Sequence, residues 1–544
     1  MASCASAFWQ AETVEETDWR HAPVIPGQSI ELPIDHFNPS DERVFLNRFW
    51  VNSTFYKPGG PVLFYDAGEQ SYSHGDRRKF SGLAVLWEHR YYGWSLPYPI
   101  DSLTGMAPDG FEAYQYLTTE QALEDTVYFA QHFQPAGFSS NATSLLHPSH
   151  TPWIFIGGSY PGARAAFSRL RNPEVWYAAW SSSGAVQATI DMATYGEQVY
   201  QDIPANCSAD IKAATAFMDA TLEHGSEEQI AVVKSLILLA SEPELCREVD
   251  NISDEELEGL VTSASKLSDF WTAWLLRSVI PHDFQYGWSR MYNTCDIIET
   301  YQPGKSLNMR NERTSASLRG LFDSIYSHER DGGTPSPEGI SETYGPFAAF
   351  AAVLHAIRFW ALVTEHSNIR HNNTTPTKED LVSWAWQMCS EYGFCQVSNV
   401  SSPYNLMSVF INLDKWHAEG CDQIFGYPEM PSVPDVSLPN RYGGWTMTPS
   451  NVMFVNGAKD PWHTLSVQST SAEIGAPNRI TTQDIPACNQ APADDKVFGL
   501  VLADGYHCSD LGSGEHGRIA AALFAGEWTA PCARLRREFP CCRC

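Results

Sequence analysis

Four short runs of continuous apolar residues place the strongest limit on what this chain can fold into. They are Leu83–Trp87 (LAVLW), Trp153–Ile156 (WIFI), Val452–Val455 (VMFV) and Val497–Leu502 (VFGLVL). A run without alternating polar residues is typical of a strand that is buried on both faces of a parallel sheet. A helical stretch from about residue 119 to residue 132 precedes the second run. This alternation of strand and helix predicts an α/β fold with a mostly parallel sheet.

The middle of the chain follows a different pattern. Ser226–Gln229 and Ser253–Glu256 have the spacing of helix capping boxes, in which a Ser side chain accepts from the backbone N–H three residues on. The 544 residues also fit more than one region better than a single small module. We therefore expect a helical insertion in an α/β core. The predicted boundaries are a first core part at 1–190, the insertion at 191–435, a second core part at 436–530 and a disordered tail at 531–544.

Composition and charge exclude several classes of structure and partner. With 43% apolar residues, the chain buries enough apolar surface to fold, which a disordered chain does not. The 35 basic and 64 acidic residues give a net charge of −29, so nucleic acid and anionic membranes are poor partners. The longest apolar stretch, Pro346–Val363, contains His355 and Arg358 and predicts a buried helix rather than a membrane span.

The cysteines indicate a compartment. Eight of the thirteen lie in the body of the chain without C-x-x-C pairs, which favours disulfides over a zinc site. Proximity in the sequence suggests the pairs Cys207–Cys246 and Cys488–Cys508. Seven Asn-x-Ser/Thr sequons add weak support for the secretory route. The first residues show neither the basic nor the apolar region of a signal peptide, so we expect either a cytosolic protein or an incomplete start.

The sharpest local motif is WIFIGGSYPG at Trp153–Gly162. A strand runs into a Gly-Gly-Ser turn and then into a helix, which is the context of a nucleophile elbow. Such a turn lifts the Ser159 hydroxyl above the sheet, and the N–H of Tyr160 at the helix N-terminus is placed to stabilise an oxyanion. The usual pattern has Gly at position 161. Because Pro161 is tolerated in a first helical turn, we expect the elbow to persist.

A Gly-Ser turn alone is more often structural than catalytic. A catalytic role for Ser159 therefore depends on whether the chain offers partners for it. Asp460 follows the VMFV run and His507 follows the VFGLVL run, so both are expected at strand ends. The order Ser, Asp, His is the order that α/β-hydrolases use. A serine nucleophile needs a base, and the base needs a carboxylate to fix its tautomer. Ser159, Asp460 and His507 are therefore the predicted catalytic residues, ahead of His463 and His516.

A second oxyanion donor is expected from the loop that follows the strand ending at Asp66. This loop begins Ala67-Gly68-Glu69, and the backbone N–H of Glu69 is the candidate. The alternative is that Glu69 is an ordinary acidic loop residue.

Seven motifs carry a resemblance to a known family, in the right order between residues 28 and 528: ELPIDHFNP, GGPVLFYDAGE, EHRYYGWSLP, GGSYPGA, WAWQMCSE, NGAKDPW and GYHCSDL. Together they resemble the serine peptidases of the prolyl carboxypeptidase and lysosomal-type dipeptidyl peptidase family. The resemblance implies an α/β-hydrolase core with an inserted helical cap and a Ser159, Asp460, His507 triad that cleaves on the carboxyl side of Pro. It also implies that Trp462 and Trp386 lie near the proline pocket, where a flat apolar wall suits the ring. Core packing is the alternative for both.

The same resemblance implies a secreted or vacuolar/lysosomal exopeptidase that acts on peptides containing Pro and needs no cofactor or metal. It leaves open whether a C-terminal residue or an N-terminal dipeptide is removed. The oligomeric state is also open, with a homodimer as one possibility.

One departure from the family pattern leads to a further hypothesis. The stretch from Glu69 to Leu86 is short, because its segment QSYSHGDRRKFSG barely exceeds the minimum of about 10–12 residues for a crossover with its helix and shows no apolar stripe. We therefore hypothesise a deletion in this segment or an inactive variant. The alternative functions are an esterase or lipase on the same fold and a catalytically inactive secreted glycoprotein that binds partners.

Overall fold

The computed structural model describes residues 25–69, 82–101, 104–107, 110–241, 254–277, 288–301, 339–371, 377–425, 430, 433–487, 489–512 and 514–525. The chain divides into two compact units. The larger unit comprises residues 1–190, 373–394 and 421–544, and the smaller unit comprises residues 191–372 and 395–420.

The larger unit is built on a nine-stranded sheet. In chain order the strands of the protein are β1 (Gln28–Pro33), β2 (Val44–Asn52), β3 (Val62–Asp66), β4 (Leu83–Trp87), β5 (Trp153–Gly158), β6 (Trp176–Ser182), β7 (Thr189–Asp191), β8 (Gly393–Cys395), β9 (Val452–Gly457), β10 (Ile480–Thr482) and β11 (Lys496–Leu502). The order across the sheet is β1-β2-β4-β3-β5-β6-β9-β11-β10, and β7 pairs with β8 in a separate short sheet. β2 is antiparallel to β1 and to β4, and the other pairings in the large sheet are parallel. This order is that of the α/β-hydrolase fold, which confirms the predicted fold class.

The helices connect these strands and form most of the smaller unit. In chain order they are α1 (Phe111–Tyr114), α2 (Thr119–His132), α3 (Ser140–Ser144), α4 (Tyr160–Arg171), α5 (Thr194–Asp202), α6 (Ala205–His224), α7 (Glu227–Ser241), α8 (Asp254–Ser265), α9 (Asp269–Arg277), α10 (Trp288–Glu299), α11 (Ile340–Tyr344), α12 (Pro346–His371), α13 (Lys378–Gln387), α14 (Leu413–Lys415), α15 (Asp422–Phe425), α16 (Ser437–Asn440) and α17 (515–525). The predicted capping box at Ser226 forms, since the Ser226 N–H donates to Gln229 Oε1 and the Gln229 N–H donates to Ser226 Oγ.

Apolar side chains cover both faces of the large sheet. Phe64, Trp87 and Trp153 are buried on one face, and Trp180 and Phe498 are buried on the other. Strands buried on both faces have no polar face, which explains the unbroken apolar runs in the sequence. All four predicted runs are strands, namely β4, β5, β9 and β11.

The smaller unit is helical, with α12 packed along α6. A disulfide joins Cys207 of α6 to Cys295 of α10, so the suggested pair Cys207–Cys246 is wrong. The packing of α10 on α6 determines which cysteine pairs with Cys207. Closeness in the sequence does not predict that packing. In the larger unit Cys389 pairs with Cys421, while Cys508 is a free thiol, which contradicts the suggested Cys488–Cys508 pair.

The insertion has narrower bounds in the structure than the predicted 191–435. Residues 373–394 and 421–435 belong to the larger unit, and α13, in the first of these ranges, is hydrogen-bonded within it. Ser383 Oγ donates to the Tyr91 carbonyl oxygen (2.9 Å), and Trp386 Nε1 donates to the Leu117 carbonyl oxygen (3.1 Å). The predicted disordered tail at 531–544 lies outside the described residues.

The crossover between β3 and β4 lies mostly outside the described residues. The two strands pair in parallel without a break, from Val62 opposite Leu83 to Asp66 opposite Trp87. Residues 70–81 of the connection are not among those described, so the proposed deletion stays a hypothesis.

The long apolar stretch forms part of α12, where Ala349, Phe350 and Leu354 are fully buried. This confirms the prediction of a buried helix. Among the helices that the structure describes, none is both long enough and apolar enough to cross a membrane.

Candidate active site

Ser159 lies in a sharp turn between β5 and α4. Its backbone has φ 66° and ψ −130°, a conformation that few non-glycine residues adopt. A Cβ at Gly157 would lie 2.1 Å from the Pro161 carbonyl oxygen, and one at Gly162 would lie 2.3 Å from the Ser182 carbonyl oxygen. The Ser159 N–H donates to that same Ser182 oxygen (2.9 Å). The flanking glycines therefore permit the turn, and β6 anchors it.

Pro161 fits the first turn of α4 and packs on the loop after β3. It needs no N–H there, and the Ala163 N–H still donates to the Ser159 carbonyl oxygen (3.1 Å). A Cβ at Gly68 would lie 2.1 Å from Pro161 Cγ, so a glycine at position 68 makes room for the proline ring. This contact joins the loop that carries Glu69 to the helix that begins at Tyr160.

Asp460 and His507 form a buried hydrogen-bonded pair. Asp460 follows β9, is fully buried and accepts from the Trp462 N–H (3.0 Å). His507 follows β11, and its Nδ1 lies 3.0 and 2.9 Å from the two Asp460 carboxylate oxygens. A carboxylate only accepts, so Nδ1 carries the proton. Nε2 is buried and has no hydrogen-bond partner in the described part of the chain.

The negative charge of Asp460 favours the protonated, imidazolium form of His507. Burial alone would lower the pKa of His507, but the Asp460 carboxylate outweighs it, so the pKa lies well above its usual value. A base beside a nucleophile must carry a proton while the covalent intermediate forms. The arrangement stabilises that charged form.

The loop that carries His507 packs against the Ser159 turn. A Cβ at Gly158 would lie 2.8 Å from Cys508 Sγ, so the residues next to Ser159 and His507 are in contact. The Cys508 N–H donates to Ser183 Oγ (2.9 Å). Within the described residues, the structure records no hydrogen bond between Ser159 and His507. In ligand-free sites such bonds are often long or poorly aligned and tighten only when substrate binds.

A buried ion pair links the two predicted oxyanion segments. Arg164 of α4 donates to Asp66 at the end of β3, and both side chains are fully buried. Asp66 also accepts from the Gly68 N–H (3.1 Å), and Arg164 donates to the Ala122 carbonyl oxygen (2.7 Å). The pair fixes the Glu69 loop relative to the start of α4. Burial raises the pKa of the nearby Glu69 carboxyl to about 7, although its own N–H opposes this.

The two predicted pocket tryptophans have different surroundings. The Trp462 ring lies 6.3 Å from the His507 ring and packs edge-on against Phe394. Trp386 packs against Tyr114 and Phe425. The structure therefore places Trp462 beside a predicted catalytic residue.

The Asp66–Arg164 pair was missed in the sequence. The available signal was an arginine in the otherwise small and apolar start of α4 (YPGARAAF) together with an aspartate that ends a buried strand. Buried charges of this kind are rarely left unpaired. Which two charges pair depends on the sheet order, which the sequence pattern does not fix.

Comparison with known proteins identifies the family. The sequence pattern of the serine carboxypeptidase S28 family matches residues 32–259 and 351–483, more than half of the chain. The chain belongs to the S28 family of serine peptidases. The match includes Ser159 and Asp460 and ends before His507. The predicted resemblance to serine peptidases is thereby confirmed at the level of the family.

Relatives of this S28 peptidase occur in fungi and animals. It is 26% identical to a probable extracellular serine carboxypeptidase of Arthroderma benhamiae, over 82% of this chain and 60% of that one. It is 26% identical to the serine protease vicPa of Bipolaris victoriae, over 88% of this chain and 86% of that one. It is 27% identical to the human thymus-specific serine protease, over 80% of this chain and 76% of that one. Among solved structures, esterase E22 is 12% identical, with a TM-score of 0.35 over 92% of this chain and 100% of that one.

Removal of Arg164 tests the ion pair. Arg164→Met leaves the Asp66 carboxylate buried without its cation, so we expect the free energy of unfolding to fall by about 3–5 kcal/mol. The double variant Asp66→Asn/Arg164→Met removes both charges and should recover more than half of that loss. Urea unfolding followed by circular dichroism measures both. The control is Arg171→Met, which removes partly exposed pairs with Glu120 and Glu124 and should cost about 1 kcal/mol or less. Equal losses for Arg164→Met and Arg171→Met would contradict this account.

Proposed function

We propose that this chain is a serine exopeptidase in which Ser159 is the nucleophile, His507 the general base and Asp460 the residue that orients the base. The observation that carries the proposal is the short contact from His507 Nδ1 to the buried Asp460 carboxylate (2.9 Å). In the neutral ring, the proton on Nδ1 leaves Nε2 as the acceptor for a serine hydroxyl. His507 takes the Ser159 proton as the oxygen attacks the scissile carbonyl, and gives it to the leaving amine. Water then hydrolyses the acyl-enzyme.

The backbone N–H groups of Tyr160 and Glu69 are the proposed oxyanion donors. Tyr160 begins α4, and the first N–H groups of a helix have no intrahelical acceptor. Glu69 follows Gly68, which packs directly on Pro161. The contact between these two segments supports a shared role. Donors held rigidly in this way stabilise the charge that develops in the transition state without reorganising.

We propose cleavage after Pro, with Trp462 as one wall of the proline pocket. The support is the position of Trp462 beside His507 and the fit of a flat aromatic face to a ring that has no N–H donor. The role of Trp386 at the pocket stays a prediction. The direction of exopeptidase cleavage and the homodimer also stay predictions.

We propose that the protein acts outside the cytosol, in a secreted or vacuolar setting. Two disulfides, Cys207–Cys295 and Cys389–Cys421, are typical of oxidising compartments. The relative from Arthroderma benhamiae is a probable extracellular serine carboxypeptidase.

Covalent labelling tests the nucleophile. A fluorophosphonate probe should label the folded wild-type protein on Ser159, as located by peptide mass spectrometry, and Ser159→Ala should abolish the label. His507→Gln and Asp460→Asn should slow labelling by at least about a hundredfold, because both remove base activation. Ser471→Ala, at a serine outside the site, is the matched control. Labelling that persists in Ser159→Ala would refute the assignment, and a folded wild type that does not label would favour the inactive binding protein.

The pKa of Glu69 gives a pH prediction. Below about pH 7 the Glu69 carboxyl is neutral, and above it a negative charge develops beside the proposed oxyanion. We therefore expect kcat to fall as pH rises through about 7. Glu69→Gln should remove this fall, whereas Glu473→Gln, at an exposed surface position, should not. A fall that persists in Glu69→Gln would show that another group is responsible.

Substrate preference tests Trp462. With matched peptides that carry Pro, Ala or Gly at the cleaved position, the wild type should prefer Pro. Trp462→Leu should lower the ratio of kcat/KM for Pro over Gly by about tenfold, since the lost packing on one ring is worth about 1–3 kcal/mol. Trp94→Leu, at a tryptophan that is 77% exposed, is the control, and Trp386→Leu tests the prediction for that residue. Hydrolysis of nitrophenyl esters without any cleavage of Pro peptides would favour the esterase alternative.

A further inference from the structure

A chain of buried hydrogen bonds holds the side chain of Tyr160, the residue after Ser159. His89, Tyr92, Tyr160 and Gln387 are each at most 4% exposed. His89 and Tyr92 lie in the loop after β4, and Gln387 is the last residue of α13. The reaction proposed above uses the backbone of Tyr160 and gives no role to the other three side chains.

The direction of the hydrogen bonds at His89 follows from the carbonyl group it contacts. His89 Nδ1 lies 2.6 Å from the Arg90 carbonyl oxygen, which only accepts, so Nδ1 carries a proton. Burial, with the positive charge of Arg164, lowers the pKa of His89 well below its usual value. The ring is therefore neutral and Nε2 is an acceptor. The Tyr160 hydroxyl, 3.1 Å from Nε2, donates to it.

Gln387 binds the same hydroxyl from the other side. Gln387 Nε2 donates to the Tyr160 hydroxyl (2.7 Å), and Gln387 Oε1 accepts from the Tyr92 hydroxyl (2.6 Å). The Tyr160 oxygen thus donates one bond and accepts one. Its ring also packs against Trp384 and Tyr392. A phenol held on both sides in a buried network has one orientation available.

The Tyr160 side chain is one residue away from the strained turn. Ser159 has a positive φ, and Pro161 has no N–H to offer an oxyanion. The Tyr160 N–H is therefore the first donor at the start of α4. A misplacement of about 1 Å in such a donor costs about a hundredfold in rate, so whatever fixes Tyr160 affects catalysis.

We propose that His89 and Gln387 are positioning residues, which fix the Tyr160 side chain and through it the backbone N–H that faces the oxyanion. The inference rests on the proposed function and adds two residues from separate segments to it. Neither residue touches substrate. Their effect passes through the Tyr160 hydroxyl, and this sets the design of the test.

A double-mutant cycle on a Pro-containing peptide substrate tests the proposal. His89→Leu removes the acceptor for the Tyr160 hydroxyl and should lower kcat at least about tenfold, with KM changed less than about twofold. In a Tyr160→Phe background the hydroxyl is already absent, so the same change at residue 89 should alter kcat less than about twofold. An equal loss in both backgrounds, or a change confined to KM, would overturn the proposal.

A conservative substitution and a neighbouring hydroxyl provide the controls. His89→Gln places an amide oxygen near the position of Nε2 and should recover most of the kcat lost in His89→Leu. Tyr91→Phe removes another buried hydroxyl in the same loop, the one that donates to the Ala113 carbonyl oxygen (2.5 Å), and should leave kcat unchanged. If His89→Gln were as slow as His89→Leu, or Tyr91→Phe as slow as either, the loss would be structural and the proposal would be wrong.

A readout that does not need activity separates this proposal from the proposed function. In histidine side-chain ¹⁵N NMR of the full chain, the signal that disappears in His89→Leu should belong to a neutral ring protonated on Nδ1. It should not titrate from about pH 5 to about pH 8, where an ordinary histidine changes charge. A titrating ring, or one protonated on Nε2, would overturn the network whether or not Ser159 reacts. Failure of Ser159 to label would instead overturn the proposed function and leave this signal as it is.

Discussion

The turn at Ser159 depends on backbone segments that approach too closely for any side chain. Gly157 lies against the Pro161 carbonyl, and Gly162 lies against the Ser182 carbonyl. This contact holds Ser159 at a positive φ, a strain that costs about 1–3 kcal/mol and persists only where the surroundings fix it. The hydrogen bond from Ser159 to β6 supplies part of that support. The packing of β5, α4 and β6 therefore sets the position of the Ser159 hydroxyl. The conformational preference of serine itself does not.

The charges next to this turn are buried and compensated. Asp66 is paired with Arg164, and Asp460 is hydrogen-bonded to His507. A buried carboxylate without a partner would be costly, so each acid constrains the group beside it. In one case the constrained group is the helix that begins at Tyr160, and in the other it is the imidazole. Stability and the geometry of the site therefore depend on the same few contacts, in a chain whose net charge is −29.

The local sequence pattern predicts the strands and their ends. The contacts that it does not predict depend on tertiary packing. The strands around Ser159, Asp460 and His507 were predictable because a buried parallel strand is apolar throughout and polar residues mark its end. The Asp66–Arg164 pair and the bonds from His89 and Gln387 to Tyr160 join segments up to 227 residues apart, so no spacing encodes them. Local pattern does not assign α13 to either unit, because a helix has the same pattern whichever unit it packs in.

A crystal structure of the protein after reaction with a prolyl phosphonate would test the central claim most directly. The account predicts phosphorus bonded to Ser159 Oγ, with the phosphoryl oxygen about 2.7–3.1 Å from the N–H groups of Tyr160 and Glu69. It also predicts His507 Nε2 within hydrogen-bond distance of the adduct and His507 Nδ1 still on Asp460. An adduct on another residue, or a His507 ring turned away from both Ser159 and Asp460, would contradict the account.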